Sequence, residues 1–352
     1  MRSEIKYAGI DLHQSTCVIE VQNQHGQVLS QSTVQTEAKR LREFFAGIGG
    51  TIHVAFEVGT QSAWLYEILK PVVTSSTVCD VRKHKKRGNK SDRIDAHKLA
   101  TLLRLGELNQ VYQGNRNTRK LRDLAHGYLA AVNDSVRVKN RIKALYRSWG
   151  IACGGRDVYY KRNREEWISK FPIRESGMRA ALYYGQLDLL KEQRKETKKV
   201  FLKEARRYPV EKILRKIPGF GPIRSAFAIA VIGTPHRFRT KRQLWSYSGL
   251  SVVMQTSSDY EVIKDGQIVR KHRRANTRGL TQDYNRILKM VFKGAAEAAI
   301  RKDPMRTLYK VKVAKGIRPE MALLSIARRV ASITLVLWKR GEKFDVAKLI
   351  SN

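Results

Sequence analysis

The chain has 352 residues, of which 42% are hydrophobic, and its 69 Lys and Arg residues outnumber 31 Asp and Glu to give a formal net charge of +38. A chain of this length and apolar content is a globular protein rather than a disordered tail, and it is long enough for two or three domains. The charge indicates a polyanionic partner, since Lys and Arg release counterions when they neutralise phosphates, and three scattered cysteines exclude a disulfide framework.

The first hundred residues alternate short apolar runs with turn signals such as Asn23–Gly26. Three such runs predict consecutive antiparallel strands, after which helical and strand patterns alternate. The predicted elements are strands 5–12, 17–22 and 28–34, helix 37–46, strand 52–57, helix 63–69, strand 76–81 and a helix from Ser91. This order is that of an α/β ribonuclease-H-like domain, in which strands 1 and 4 lie side by side.

Four acidic residues occupy related positions in these elements. Asp11 ends the first predicted strand and Glu57 ends the fourth, so this fold would bring both to one edge of the sheet. Asp92 and Asp95, at i and i+3, share the first turn of the helix that Ser91 is expected to cap. Acids are also common in a first helical turn simply because the helix dipole favours them. Neighbouring carboxylates repel one another, and a divalent cation would remove that cost, so the four acids together favour a catalytic metal site.

A strongly charged helical pattern follows, from about residue 117 to 208. Two long helices around a Gly-rich and aromatic insert, 150–172, are expected to form an antiparallel pair. Their basic residues form either a solvated face or a track for phosphates, and the global charge favours the track. The predicted domains are an N-terminal catalytic domain, a long-helix middle and a mostly helical C-terminal domain, over 1–115, 116–209 and 210–352.

Gly219 and Gly221 belong to the segment Ile217–Pro222, which predicts a helix-hairpin-helix turn. Glycines allow a tight turn with outward N–H groups, and the N-terminus of the next helix attracts phosphate, although an ordinary loop between packed helices has a similar pattern. A polar stretch and two further helices reaching Trp338 are expected after it. Further nucleic-acid contacts are predicted in two basic runs, at Arg82, Lys83, Lys85, Lys86, Arg87, Lys271, Arg273 and Arg274.

Five sequence blocks carry a family resemblance. They are Ile10–Asp11, Glu57, Lys90–Ala96, Ile217–Gly221 and Ser248–Leu250. In order and spacing they resemble the DEDD transposases of the insertion-sequence 110 family, and the Asp-x-x-Asp-Ala and Pro-Gly-x-Gly blocks are the most specific. The resemblance covers nearly the whole chain. It implies a recombinase with a RuvC-like N-terminal domain, a helical middle and a C-terminal transposase domain.

The same resemblance implies a catalytic site with two parts. One is a site for Mg²⁺, as two ions and with Mn²⁺ as an alternative, formed by Asp11, Glu57, Asp92 and Asp95. The other is a serine past Gly249–Leu250 that attacks DNA and becomes bonded to it, which carries over to Ser257. Family members usually have Gly after this serine, whereas the chain has Ser258. Ser257 is preferred as the nucleophile, and Ser258 stays open as the alternative.

The implied partners are donor DNA, target DNA and a noncoding bridge RNA whose loops pair with both. Guidance by base pairing would explain why no base-reading module is recognisable in the chain. A homo-oligomer, a dimer or a tetramer, is implied because two DNA sites with two strands each need several active sites. Neither a run of roughly 20 apolar residues nor a signal peptide is recognisable. We therefore expect no membrane partner, and a cytoplasmic bacterial protein that joins the nucleoid when it acts.

Three other interpretations use some of the same residues. A RuvC-like structure-specific endonuclease with water as its nucleophile would share the acids and the fold but have no use for Ser257. In a nucleic-acid-binding protein without catalysis, the acids would be helix caps and strand ends. A tyrosine recombinase would use Tyr247, Tyr260 or Tyr284, but that chemistry needs no acidic metal site.

Overall fold

The structure is a computed structural model that describes residues 4–80, 91–255, 260–262, 267–270 and 276–346. It contains two compact units, Met1–Gln113 and Gly114–Asn352. The predicted middle region and C-terminal domain both lie in the second unit.

The first unit is built on a mixed five-stranded sheet of order β3-β2-β1-β4-β5. Its elements are β1 (Ile5–Leu12), β2 (Thr16–Asn23), β3 (Val28–Gln35), α1 (Ala38–Ile48), β4 (Thr51–Glu57), α2 (Ser62–Leu69), β5 (Ser75–Cys79) and α3 (Asp92–Leu105). Strands β1, β2 and β3 pair antiparallel, whereas β1–β4 and β4–β5 pair parallel. The predicted order of elements and the adjacency of the first and fourth strands are therefore observed.

The two faces of this sheet are covered differently. Ala8 and Ile10 of β1 contribute to a hydrophobic core that includes Leu41 and Phe45 of α1 and Leu65 of α2. Because side chains alternate along a strand, the residues between them face the other side of the sheet. On that side α3 packs against β1 and β2.

Gly9 allows the backbone of α3 to approach β1 closely. A Cβ atom at this position would overlap the carbonyl oxygen of Ala96 and lie 2.5 Å from the amide nitrogen of Ala100 and 2.9 Å from the Cβ of Leu99. Any side chain here would push the helix away from the sheet, so a glycine is required by the packing rather than by a turn.

A buried polar network fixes the same helix on β2. The Glu20 side chain is 3% exposed, and its Oε1 lies 2.6 Å from Nδ1 of His97. Gln22 Nε2 donates to Glu20 Oε1 at 2.9 Å and to Thr101 Oγ1 at 3.1 Å. A buried carboxylate needs such partners. For Glu20 they are His97 of α3 and Gln22, two residues further along β2.

The second unit is mostly helical. Its helices are α4 (Arg116–Ser148), α5 (Arg164–Ser169), α6 (Arg174–Ala205), α7 (Val210–Leu214), α8 (Pro222–Ile232), α9 (Lys241–Tyr247), α10 (Arg286–Ala299), α11 (Met305–Ala314) and α12 (Pro319–Arg340). Four short strands interrupt them, namely β6 (Val252–Gln255), β7 (Tyr260–Val262), β8 (Ile268–Arg270) and β9 (Asn276–Leu280). β6 pairs with β9 and β7 with β8, both antiparallel.

The long helices α4 and α6 form the predicted antiparallel pair. At one end, Tyr128 of α4 stacks on Phe201 of α6 at 6.0 Å between ring centroids, and Phe201 contacts Phe227 of α8 at 5.1 Å. At the other end, the hydroxyls of Tyr146 and Tyr184 are 3.0 Å apart in a separate core that the insert residues complete. The pair thus shares one core with the C-terminal helices and closes a second core of its own.

The C-terminal part differs from the sequence prediction in two respects. Three helices, not two, follow the basic run, because Pro304 and the left-handed Gly316 (φ 79°) separate α10, α11 and α12. The short strands were not predicted, since each is only three to five residues long. By length and composition α12 would suit a membrane span, but half of its most apolar stretch is buried inside the unit, as in a core helix.

Replacing Gly9 with Ala is expected to lower the free energy of unfolding of the first unit by about 1 to 3 kcal/mol, the usual cost of overpacking. Hydrogen exchange of α3 amides should accelerate more than exchange in α1, because the added Cβ meets only α3. Gly47→Ala in α1 is the matched control, since its Cβ would meet nothing within 4 Å. Equal stability of the two variants in denaturant titrations would contradict the close packing of α3 on β1.

Candidate active site

Asp11 lies near the end of β1, on the face of the sheet that α3 covers. It follows Gly9 by two positions and pairs with Val18 of β2. Its side chain is 20% exposed, so the carboxylate is largely but not fully removed from solvent. The strand therefore presents an acidic group at the sheet edge, next to the beginning of α3.

The first turn of α3 brings Asp92 to the same place. Ser91 caps this helix as predicted, and its Oγ accepts a hydrogen bond from the Ile94 amide at 3.3 Å. The Asp95 amide donates to the Ser91 carbonyl at 3.1 Å. The positive end of the helix dipole favours carboxylates in this turn, so the local structure itself stabilises both acids.

His13 joins these two carboxylates. Its Nε2 lies 3.1 Å from Oδ2 of Asp11 and 3.5 Å from Oδ2 of Asp92. One potential ligand atom from each of the three residues lies within 4.8 Å of the others. His13 is not among the residues predicted for the site, although it lies two residues after Asp11 and just past the end of β1, where strand alternation would put it on the side of Asp11.

The Asp11 carboxyl is in an environment that resists ionisation. Burial is the largest effect and raises its pKa, and the negative charges of Asp92 and Asp95 act in the same direction. His13 opposes them through its charge and its hydrogen bond. A half-buried carboxylate facing two others is relieved by a cation, and the oxygen and imidazole donors present are those that divalent cations accept. The residues therefore fit a divalent metal ion.

Glu57 and Asp95 lie outside this group of three. The last residue pair between the parallel strands β1 and β4 is Ile10 with Phe56. The next residues, Asp11 and Glu57, therefore lie side by side in the backbone, as the predicted fold requires. The Glu57 side chain is exposed, and its charge reaches Cys79, whose pKa burial raises to about 12 with Glu57 as a second cause. The structure thus brings together Asp11 and Asp92 of the predicted four acids, with Asp95 close enough to act on Asp11.

The proposed nucleophile and the basic runs are outside the described residues. This holds for Ser257 and its alternative Ser258. It also holds for Arg82, Lys83, Lys85, Lys86, Arg87, Lys271, Arg273 and Arg274.

The two glycines of the predicted hairpin have different environments. Gly219 adopts a left-handed conformation (φ 81°), and a Cβ there would overlap the backbone of Ala295 in α10, so this glycine permits close packing. Gly221 is the N-cap of α8 and has open space at its Cβ position. Beside it is a cavity of about 370 Å³ whose lining includes Lys198 and Arg224. The start of α8, where Pro222 occupies the first helical turn, therefore combines the positive end of a helix dipole with two basic side chains, as an anion-binding surface does.

Two family models match the chain. Residues 8–149 match the model of DEDD transposases of the IS110 type, and residues 211–310 match the model described as the transposase IS116/IS110/IS902 family. The chain is also 32% identical over 127 residues to an uncharacterised 44.8 kDa protein of insertion element IS116 from Streptomyces clavuligerus. That match covers 36% of this chain and 28% of the relative's length.

The repulsion at Asp11 can be measured directly. Asp92→Asn is expected to lower the pKa of the Asp11 carboxyl, because it removes a neighbouring negative charge that favours the protonated form. Carboxyl-carbon NMR titration of metal-free protein with labelled aspartate is the measurement. Glu43→Gln, an exposed acid of α1 on the opposite face of the sheet, is the control and should leave Asp11 unchanged. An Asp11 pKa that stays constant or rises in Asp92→Asn would show that the two carboxylates do not interact.

Proposed function

The chain belongs to the IS116/IS110/IS902 family of transposases, and we propose on that basis that it cleaves and rejoins DNA strands as a transposase and site-specific recombinase. The observation that carries this proposal is the convergence of Asp11, Asp92 and His13 at one sheet edge, within the residues that match the family model. Such a group is expected where a metal-dependent enzyme acts on phosphodiesters.

The fold of the first unit supports this assignment. A five-stranded sheet of order β3-β2-β1-β4-β5 with antiparallel β2 is compatible with a RuvC-like, ribonuclease-H-like domain. In that arrangement Asp11 on β1, Glu57 on β4 and the first turn of α3 all reach the same edge. We therefore assign Glu57 and Asp95 to the site with Asp11 and Asp92, as further carboxylates available to a second ion.

The proposed cofactor is Mg²⁺, as two ions per site, with Mn²⁺ as the alternative. When bound, such ions supply positive charge to the attacked phosphate and to the leaving oxygen. The protein's own contribution is to hold carboxylates in a partly buried position where a bound cation relieves their mutual repulsion. The cap at Ser91 and the packing of α3 on Gly9 maintain this position.

Ser257 is the proposed nucleophile. Its Oγ would attack the phosphorus of a DNA phosphodiester, the bond from phosphorus to the leaving strand oxygen would break, and the hydroxyl proton would pass to solvent as the leaving oxygen gains one. The resulting phosphoserine bond retains the energy of the cleaved linkage, so the reverse attack by a new strand end needs no ATP. A nuclease that uses water would lose that energy.

The proposed partners are donor DNA, target DNA and a structured noncoding RNA, bound by a homo-oligomer. A net charge of +38 supports simultaneous binding of several phosphate backbones. Gly221, Lys198 and Arg224 at the start of α8 supply one surface for phosphates without reading bases. Base pairing by the RNA would then select the sites.

A covalent-capture assay tests the catalytic proposal. Wild-type protein with Mg²⁺ and a nicked donor-end substrate should yield a denaturation-resistant protein–DNA adduct. Ser257→Ala should abolish the adduct, Ser258→Ala should retain it, and Asp11→Asn should reduce cleavage by at least about 100-fold, as expected when electrostatic stabilisation of the transition state is lost. Cleavage without any adduct, unchanged in Ser257→Ala, would instead assign a RuvC-like endonuclease that uses water.

Sequencing of RNA that co-purifies with the protein tests the guide. One defined species encoded beside the gene, retained after washing at high salt, is the expected result. A mixture of cellular RNAs that dissociates as salt rises would show that the protein binds RNA only by non-specific charge attraction.

A further inference from the structure

His13 occupies a fixed position in the turn between β1 and β2. Its amide donates to the Thr16 carbonyl at 3.1 Å, and its own carbonyl accepts from Thr36 Oγ1 at 2.9 Å. Thr36 follows β3 directly, and its amide donates to Ser15 in the same turn at 2.9 Å. The backbone that carries this imidazole is therefore held from two neighbouring strands.

The distances around His13 match the edges of a coordination shell. Ligand atoms about 2.1 Å from an ion are separated by about 3.0 Å at right angles and by about 3.4 Å in a tetrahedron. Nε2 of His13 lies 3.1 Å from the Asp11 carboxylate and 3.5 Å from the Asp92 carboxylate. One potential ligand atom from each of the three groups also lies within 4.8 Å of the others, so the three groups are close enough together to share one ion.

The chemistry of an imidazole donor distinguishes among divalent cations. Mg²⁺ prefers oxygen ligands and retains much of its water, whereas transition-metal ions accept nitrogen readily. Given the metal-dependent function proposed above, on which this inference rests, we propose that His13 is a nitrogen ligand of the bound cation and raises the affinity of the site for Mn²⁺ relative to its affinity for Mg²⁺.

A different role for His13 would leave a different signature. If the imidazole only donated a hydrogen bond to Asp11 and oriented it, its loss would change the affinities for Mn²⁺ and Mg²⁺ by the same factor. A direct ligand affects Mn²⁺ selectively, because a water molecule replaces the imidazole on Mg²⁺ at little cost. The ratio of the two affinities therefore separates a ligand from a positioning residue.

The test uses the full-length chain freed of metal. Mn²⁺ binding is followed by electron paramagnetic resonance, Mg²⁺ binding by competition, and the coordinated nitrogen by electron spin echo modulation of the wild-type Mn²⁺ complex. His13→Ala should weaken Mn²⁺ binding by at least about tenfold, since even indirect partners of metal ligands contribute about 10- to 100-fold. Mg²⁺ affinity should change less than about twofold. His25→Ala, an exposed histidine in the turn between β2 and β3, is the matched control.

The outcomes separate this inference from the proposed function. Nitrogen coupling in the wild-type complex, together with a selective loss of Mn²⁺ in His13→Ala, supports the ligand. Mn²⁺ binding without nitrogen coupling, or equal losses for both ions, overturns the role of His13 and leaves the acidic site standing. Failure of the wild-type chain to bind either ion overturns both proposals. The wild-type spectrum decides the ligand even if the variant does not fold.

Discussion

The close contact between α3 and β1 is the constraint on which the candidate active site depends. Gly9 lets the helix backbone lie against the strand, and this places the first turn of the helix beside the end of the same strand. The pair formed by Glu20 and His97 fixes the helix on β2. Asp11 and Asp92, far apart in sequence, meet only because both contacts hold α3 in one position.

The site is acidic within a chain that is strongly basic overall. At Asp11 burial raises the pKa more than any neighbouring charge does, so the net charge of the molecule does not decide the local balance. His13 lowers the pKa of the Asp11 carboxyl, and the dipole of α3 favours carboxylates in its first turn. Both are weak substitutes for a divalent cation, which is why this environment supports metal binding.

The sequence was sufficient for the elements of the first unit, and less so for the site. Strand alternation and turn residues are local signals, so the strand order and the Ser91 cap could be predicted. The placement of His13 on the side of Asp11 could be predicted from strand alternation, but its closeness to Asp92 could not, because that depends on the height and rotation of α3 above the sheet. In the second unit, Pro304 and Gly316 divide the C-terminal helices, and the short strands lie below the length at which periodicity is informative.

Gly219 shows a similar limit. Its sequence context suggests a turn that offers amides to phosphate, whereas its surroundings show that contact with α10 already demands a glycine. At Gly221 a Cβ would meet nothing within 4 Å, so no such packing contact demands a glycine there. The two glycines of one motif thus have different packing environments, and only the structure distinguishes them.

The aromatic contacts of Tyr128, Phe201 and Phe227 have a mechanical consequence. They join α4, α6 and α8 at one end of the helical pair, while Tyr146 and Tyr184 stiffen the other end. With 33 residues, α4 is about 50 Å long. Because its partner α6 is packed against it at both ends, the two helices are expected to move as one body. A tilt of this pair would therefore also move α8, which begins at Pro222.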